Sequence, residues 1–125
     1  MIDVFYDGKC SICSKEINYY RKIAPKNIFN WEDITVDRLS LKKNNIIYVD
    51  ALKKLHVIDA NKKLHIGVDA FLIIWKNLKY WKILSILVSL PLIRQLFGII
   101  YNIFAEYRFK NLKHCQIALR ENNRY

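Results

Sequence analysis

At 125 residues the chain is the size of one domain, and a composition that is 53% hydrophobic and 14% aromatic fills a core and excludes a disordered protein. The net charge of +10 lies mostly in the second half, where residues 61–125 hold eleven Lys or Arg against three Asp or Glu. These basic residues are scattered, with no helix-turn-helix, zinc-finger or RNP pattern among them, so no nucleic-acid partner is expected.

Met1 to Tyr6 reads as a strand, with Ile2, Val4 and Tyr6 alternating and Phe5 implying burial on both faces. Its opening carries no basic n-region or apolar h-region, which points to a cytoplasmic protein rather than an exported one. Asp7-Gly8 breaks the strand. Ile12, Glu16, Ile17, Tyr20 and Ile23 then follow helical spacing until Pro25, which places Cys10 at the helix N-terminus and Cys13 one turn inside it. The motif is Cys10-Ser11-Ile12-Cys13, and with Cys115 it makes three cysteines in all. In a reducing compartment an odd count argues against a disulfide framework and for a reactive or metal-binding pair.

A thiolate is the species that attacks a disulfide, and a cysteine at a helix N-terminus in a CxxC has its pKa lowered from about 8.5 into the range of roughly 3.5–7.5. On position, Cys10 is therefore expected to be the attacking, more exposed thiol and Cys13 the resolving one. Lys9 reinforces the effect, and an ionised Asp7 opposes it. Asp7 has two readings that stay open here, a proton acceptor for Cys13 and a turn residue before Gly8.

Ile28 to Ile34 reads as a second strand, parallel to the first because a helix lies between them. Asp37 to Lys54 is polar, with a short helix suggested around Val49 and Leu52. Leu55–Asp59 and Lys63–Gly67 form a hairpin about Ala60-Asn61-Lys62, with His56 and His65 expected to flank one another across it. Both are expected to be surface or satisfied residues rather than ligands, and His114 is treated the same way. Val68 to Trp81 carries Phe71, Ile74, Trp75, Leu78 and Trp81 on one helical face. Ile83 to Ala105 has one formal charge, Arg94, and enough length to span a bilayer. Pro91, Arg94, Gln95 and Asn102 inside it favour two helices, Ile83–Leu90 and Leu92–Tyr107, packed on the domain. An apolar face left open there would make residues 83–107 a peripheral membrane or protein contact.

The ordered blocks resemble one family. Tyr6-Asp7-Gly8-Lys9-Cys10-Ser11-Ile12-Cys13, Leu55-His56-Val57-Ile58-Asp59-Ala60, Gly67-Val68-Asp69-Ala70-Phe71, Leu90-Pro91, and Tyr101 followed by Ala105, Arg108 and Phe109 are similar to the DCC (DUF393) thiol-disulfide oxidoreductases. The resemblance implies an α/β thioredoxin-like fold, a central mixed sheet of about four strands flanked by helices, with extra C-terminal helices. It implies one domain over residues 1–115, with a core at 1–81 and appended helices at 83–110, followed by a polar tail at 116–125. It also implies dithiol–disulfide exchange through Cys10 and Cys13 with Asp7 beside them, on a protein or small-molecule disulfide substrate and without a cofactor. Thioredoxins carry a cis-proline just before the third strand, facing the dithiol. Lys53-Lys54 stands there instead, which puts docking of a substrate backbone in doubt and raises the prospect of a bound metal. The metal alternative would use Cys10, Cys13, His114 and Cys115, were the C-terminal segment to fold back over the motif. In the exchange reading, the lysines favour small or acidic disulfides by steering.

Overall fold

The computed structural model describes residues 1–78 and 81–122. Four strands form one sheet in the order β2-β1-β3-β4, with β1 at Ile2–Tyr6, β2 at Phe29–Asp33, β3 at His56–Ile58 and β4 at Leu64–Ile66. β1 and β2 run parallel, with Ile2 opposite Phe29 and Tyr6 opposite Asp33, while β1–β3 and β3–β4 are antiparallel. The parallel pair follows from α1 (Ser11–Ile23) crossing between its strands. This is the thioredoxin-like α/β architecture, and the helices beyond it are the C-terminal extras the sequence implies.

Both faces of the sheet are covered, as the double-sided burial of β1 requires. On one face Ile2, Val4 and Val57 pack against Ile17 and Tyr20 of α1 and against Ala70 and Ile74 of a helix at Val68–Lys76. On the other, Phe5 and Ile58 meet Leu41 of α2 (Leu39–Lys43) and Val49, Ala51 and Leu52 of α3 (Tyr48–Lys53), together with Phe109, Cys115 and Ala118 from the C-terminal end. The helix at Val68–Lys76 is α4. Its periodic pattern runs on to Trp81 in sequence, but Asn77 caps the helix, and residues 79–80 lie outside the described ones.

Three helices follow: α5 at Lys82–Val88, α6 at Pro91–Asn111 and α7 at Lys113–Asn122. Pro91 opens α6 in its first turn, where a missing amide costs nothing. The expected polar tail is the point of difference. Residues 116–122 belong to α7, because Cys115 and Ala118 fall on one helical face and bury it in the core. Residues 123–125 of that tail lie outside the described ones.

Among the described residues, no single helix is long and apolar enough to cross a membrane. α5 and α6 pass by length and composition together, but they bend by 95° at the break between them. They are only partly packed. α6 buries Ala105 and Phe109, whereas Leu92, Leu96, Ile99, Ile100, Ile103 and Tyr107 stay exposed.

The hairpin register also corrects one expectation. His65 pairs with Val57 and His56 with Ile66, so the two histidines point to opposite faces of the sheet. His56 is buried with its Nδ1 2.9 Å from the Lys54 carbonyl, and His65 Nε2 lies 2.8 Å from Asp59. Both are satisfied within the fold.

Candidate active site

The loop between β1 and α1 is built to hold a tight shape. The Cys10 N–H donates to the Asp7 carbonyl at 3.3 Å, the Lys9 N–H to the Asp7 side chain at 3.0 Å, and the Ser14 hydroxyl to the Gly8 carbonyl at 2.8 Å. Gly8 is required by a close approach. Its N–H donates to Asp33 Oδ1 at 3.0 Å, and an added Cβ would stand 1.7 Å from Asp33 Oδ2. The turn reading of Asp7 is therefore part of the structure.

Cys10 is the N-cap of α1, and its Sγ accepts the Cys13 N–H at 3.3 Å. A sulfur at that position receives one of the amides a helix start leaves without partners. The expected exposure is inverted: Cys10 is only 3% exposed, and Cys13 is the more open thiol. The C-terminal helices return here and bring Arg108 of α6 beside the dithiol. Burial first, then the hydrogen bond with Cys10, push the Cys13 thiol well above its ordinary range, with Arg108 pulling the other way. All three cysteines are free thiols.

Asp7 is almost fully buried and is the hub of the site. Arg108 Nη1 donates to its Oδ2 at 3.1 Å, and His114 Nε2 lies 2.8 and 2.9 Å from its two oxygens. Cys115 Sγ lies 3.8 Å from Oδ2 and 3.6 Å from His114 Nε2. Arg108 also donates through Nη2 to the carbonyls of Leu52 and Lys53, which ties the C-terminal end of α3 to the motif. Burial works against the Arg108 charge, but Cys13, Cys10, Asp7 and Cys115 around it outweigh that and raise its pKa. Burial pushes the Cys115 thiol up to about 12, and Asp7 adds to the shift.

Sequence reasoning placed Asp7, Cys10 and Cys13 together, as the structure has them, and missed two partners. Arg108 stood only among scattered basic residues and in a resembling block, and His114 was a lone histidine. Each is more than 100 residues from Asp7, so no local spacing links them. The one usable signal was the conditional return of the C-terminal segment. It does return, but His114 meets the Asp7 carboxylate there. Of the two lysines before β3, Lys54 lines a cavity that Cys13 also lines, while Lys53 Nζ sits 5.3 Å from the centre of the Phe109 ring.

A cavity of about 360 Å³ lies beside Cys13, between α1, α4 and α6. Its walls are mainly apolar, including Phe71, Trp75, Phe97, Ile100, Tyr101 and Phe104. Asp7, Arg108, Lys54 and Glu16 are its charged lining residues, and burial raises the Glu16 pKa.

A thioredoxin-like sheet with a CxxC pair capping the helix after its first strand defines a class of protein with a dithiol at the first strand-to-helix junction. Within that class, the chain belongs to the DCC1-like thiol-disulfide oxidoreductase family, whose sequence profile matches residues 4–114. It is also similar to an uncharacterized chloroplastic protein of Arabidopsis thaliana, 25% identical over 111 residues. That match covers 87% of this chain and 51% of the relative, so the chain spans about half the length of the curated relative it matches. No solved structure gives a significant match.

Proposed function

We propose that the chain is a thiol-disulfide oxidoreductase working through Cys10 and Cys13. The observation that carries the reading is the Cys13 N–H aimed at Cys10 Sγ at the start of α1, which suits a sulfur that alternates between thiolate and disulfide. In the reducing direction one thiolate attacks a substrate disulfide R–S–S–R′, forming a mixed disulfide and releasing R′–S⁻. The partner cysteine loses its proton and attacks the protein's own sulfur, expelling R–S⁻. The products are the Cys10–Cys13 disulfide, RSH and R′SH, with two electrons passed to the substrate.

Asp7 is the proton acceptor in this scheme. It lines the same cavity as Cys13, and its carboxylate is poised by Arg108 and His114. A reducing compartment such as the cytoplasm would keep the dithiol ready for this work. The test is an intact-mass measurement after mild oxidation of the reduced chain. Loss of two hydrogens, with peptides linked through Cys10 and Cys13 and Cys115 still alkylatable, is the expected result. Linkage through Cys115, or no intramolecular disulfide, would overturn the assignment.

A second reading has one observation behind it: ligand atoms of Asp7, His114 and Cys115 all lie within 4.8 Å of one another. They differ from the set expected in sequence, since Cys10 and Cys13 are not among them. The Arg108 guanidinium on Asp7 Oδ2 competes with a cation there, and the raised Cys115 pKa opposes the thiolate a metal needs. Metal analysis of protein purified without an affinity tag separates the readings. Stoichiometric zinc or iron would favour the second.

A further inference from the structure

We infer that the cavity beside Cys13 is the binding site for a small apolar thiol or disulfide, and that the substrate sulfur joins to Cys13 rather than Cys10. The inference rests on the exchange reading and extends it to the substrate class.

Three observations carry it. The first is closure of the ground where a thioredoxin docks an extended chain, just before the third strand. The Leu55 N–H there donates to the Tyr101 hydroxyl at 2.9 Å, and the Leu55 carbonyl accepts the Gly67 N–H at 2.8 Å. Both backbone groups are used within the fold, and α6 lies across the position, so a polypeptide strand finds no free ladder to join.

The second is the cavity itself. A volume of about 360 Å³ is at the lower end of small-molecule sites, and the walls are largely aliphatic and aromatic. Ile12, Phe97, Ile100 and Phe104 line it and are also exposed, which gives the mouth an apolar rim. Glutathione is polar along its length and gains little from such walls, whereas an aryl or alkyl disulfide leaves water on entering.

The third is the division between access and leaving ability. Cys13 lines the cavity, and Cys10 is buried behind it at the helix start. In the oxidised protein an entering thiolate R–S⁻ attacks Cys13 Sγ. The Cys10–Cys13 bond breaks as the Cys13–S–S–R bond forms, and Cys10 leaves as the thiolate, where the Cys13 N–H and the Arg108 charge receive it. A better stabilised leaving thiolate speeds the exchange. A second R–S⁻ attacks the substrate sulfur of the mixed disulfide and releases R–S–S–R. Cys13 takes a proton, and the protein's dithiol has gained the two electrons. The reducing direction retraces these steps, and there Cys13 first gives up its proton, which Asp7 accepts in the scheme above, because burial holds its thiol well above the ordinary range.

The test uses the reduced full chain and 4,4′-dithiodipyridine as the apolar probe, with oxidised glutathione as the polar one. Each rate is divided by that of N-acetylcysteine with the same disulfide, which removes intrinsic reactivity. The expected result is a preference for the pyridyl disulfide of about tenfold or more, the scale of a modest apolar pocket. It falls severalfold in Ile100→Gln at the cavity wall and is unchanged in Ile103→Gln on the outer side of α6. The preference persists in Cys10→Ser, where only Cys13 of the pair remains, and is lost in Cys13→Ser. Equal relative rates for the two disulfides would overturn the substrate class while leaving the exchange reading intact. A preference retained in Cys13→Ser would overturn the attachment to Cys13. Failure of the wild-type chain to form its disulfide with either probe would sink the exchange reading itself.

Discussion

Asp7 shows how far one side chain can be shared. It shapes the turn through the Lys9 N–H, neutralises buried Arg108 and holds His114 in place. Its negative charge also raises the pKa of both Cys13 and Cys115. Asp7→Asn should therefore let Cys13 ionise more readily, and iodoacetamide at a fixed mildly alkaline pH should label it faster than in the wild type. An unchanged or slower rate would contradict the electrostatic account. The same substitution leaves the Arg108 guanidinium buried without its carboxylate, a loss on the order of 3 kcal/mol that urea denaturation would register. Gly8→Ala is a separate case, since its Cβ would collide with Asp33 within 2 Å. A destabilisation of about 1–3 kcal/mol is expected, and a neutral outcome would mean that Asp33 can move aside at little cost.

At the scale of elements, the strands, α1 and the hairpin were readable because their signals are local, whereas α2 at Leu39–Lys43 lies in a polar stretch whose sequence showed no helix there. Alternation in β1, the Asp7-Gly8 break, the helical spacing to Pro25 and the hairpin turn each lie within a few residues, and the parallel pairing follows from the connection. α7 was not readable. Its sequence is polar enough to pass for a tail, and the residues it gives to the core, Cys115 and Ala118 buried and Leu119 packed against them, stand at positions that mean nothing until the helix has somewhere to pack. The surroundings of Cys10 and Cys13 were not readable for a related reason, because the Arg108 charge beside them comes from about 100 residues later. The Tyr101 hydroxyl gives a sharp test of how firmly α6 packs. Tyr101→Phe removes the partner of the Leu55 N–H and should cost roughly 1–3 kcal/mol, with β3 amides exchanging hydrogen faster. Unchanged stability and exchange would show that α6 sits loosely on the strand.

For the whole molecule, the buried titrating groups set a stability window. Burial lowers the His56 pKa, so on acidification the unfolded chain takes up a proton before the folded one does. The stability it contributes is present above the usual histidine value of about 6.5 and falls as pH drops toward the folded value. Tyr20 and Tyr101, pushed up to about 12 by burial, act at the other end. Their contribution holds below about 10 and is lost as pH rises through the folded value. Cys13 and Cys115, whose thiols burial also raises, erode stability sooner, from about pH 8.5. Denaturation midpoints should therefore plateau between roughly pH 7 and 8, and His56→Gln should flatten the acid limb. A limb unchanged in that variant would assign acid unfolding to another group. The larger unit also explains the site. A sheet common to thioredoxin-like proteins receives an appended helical layer, which walls the apolar cavity beside Cys13 and brings in the arginine and histidine that hold the carboxylate. The claim that this arrangement is a reversible redox centre is tested most directly by equilibrating the chain in glutathione buffers of graded potential and counting alkylated Cys10 and Cys13 by mass spectrometry. The account predicts that both thiols disappear together in one two-electron transition, between roughly −270 and −120 mV. Independent titration of the two cysteines, or no transition in that range, would contradict it.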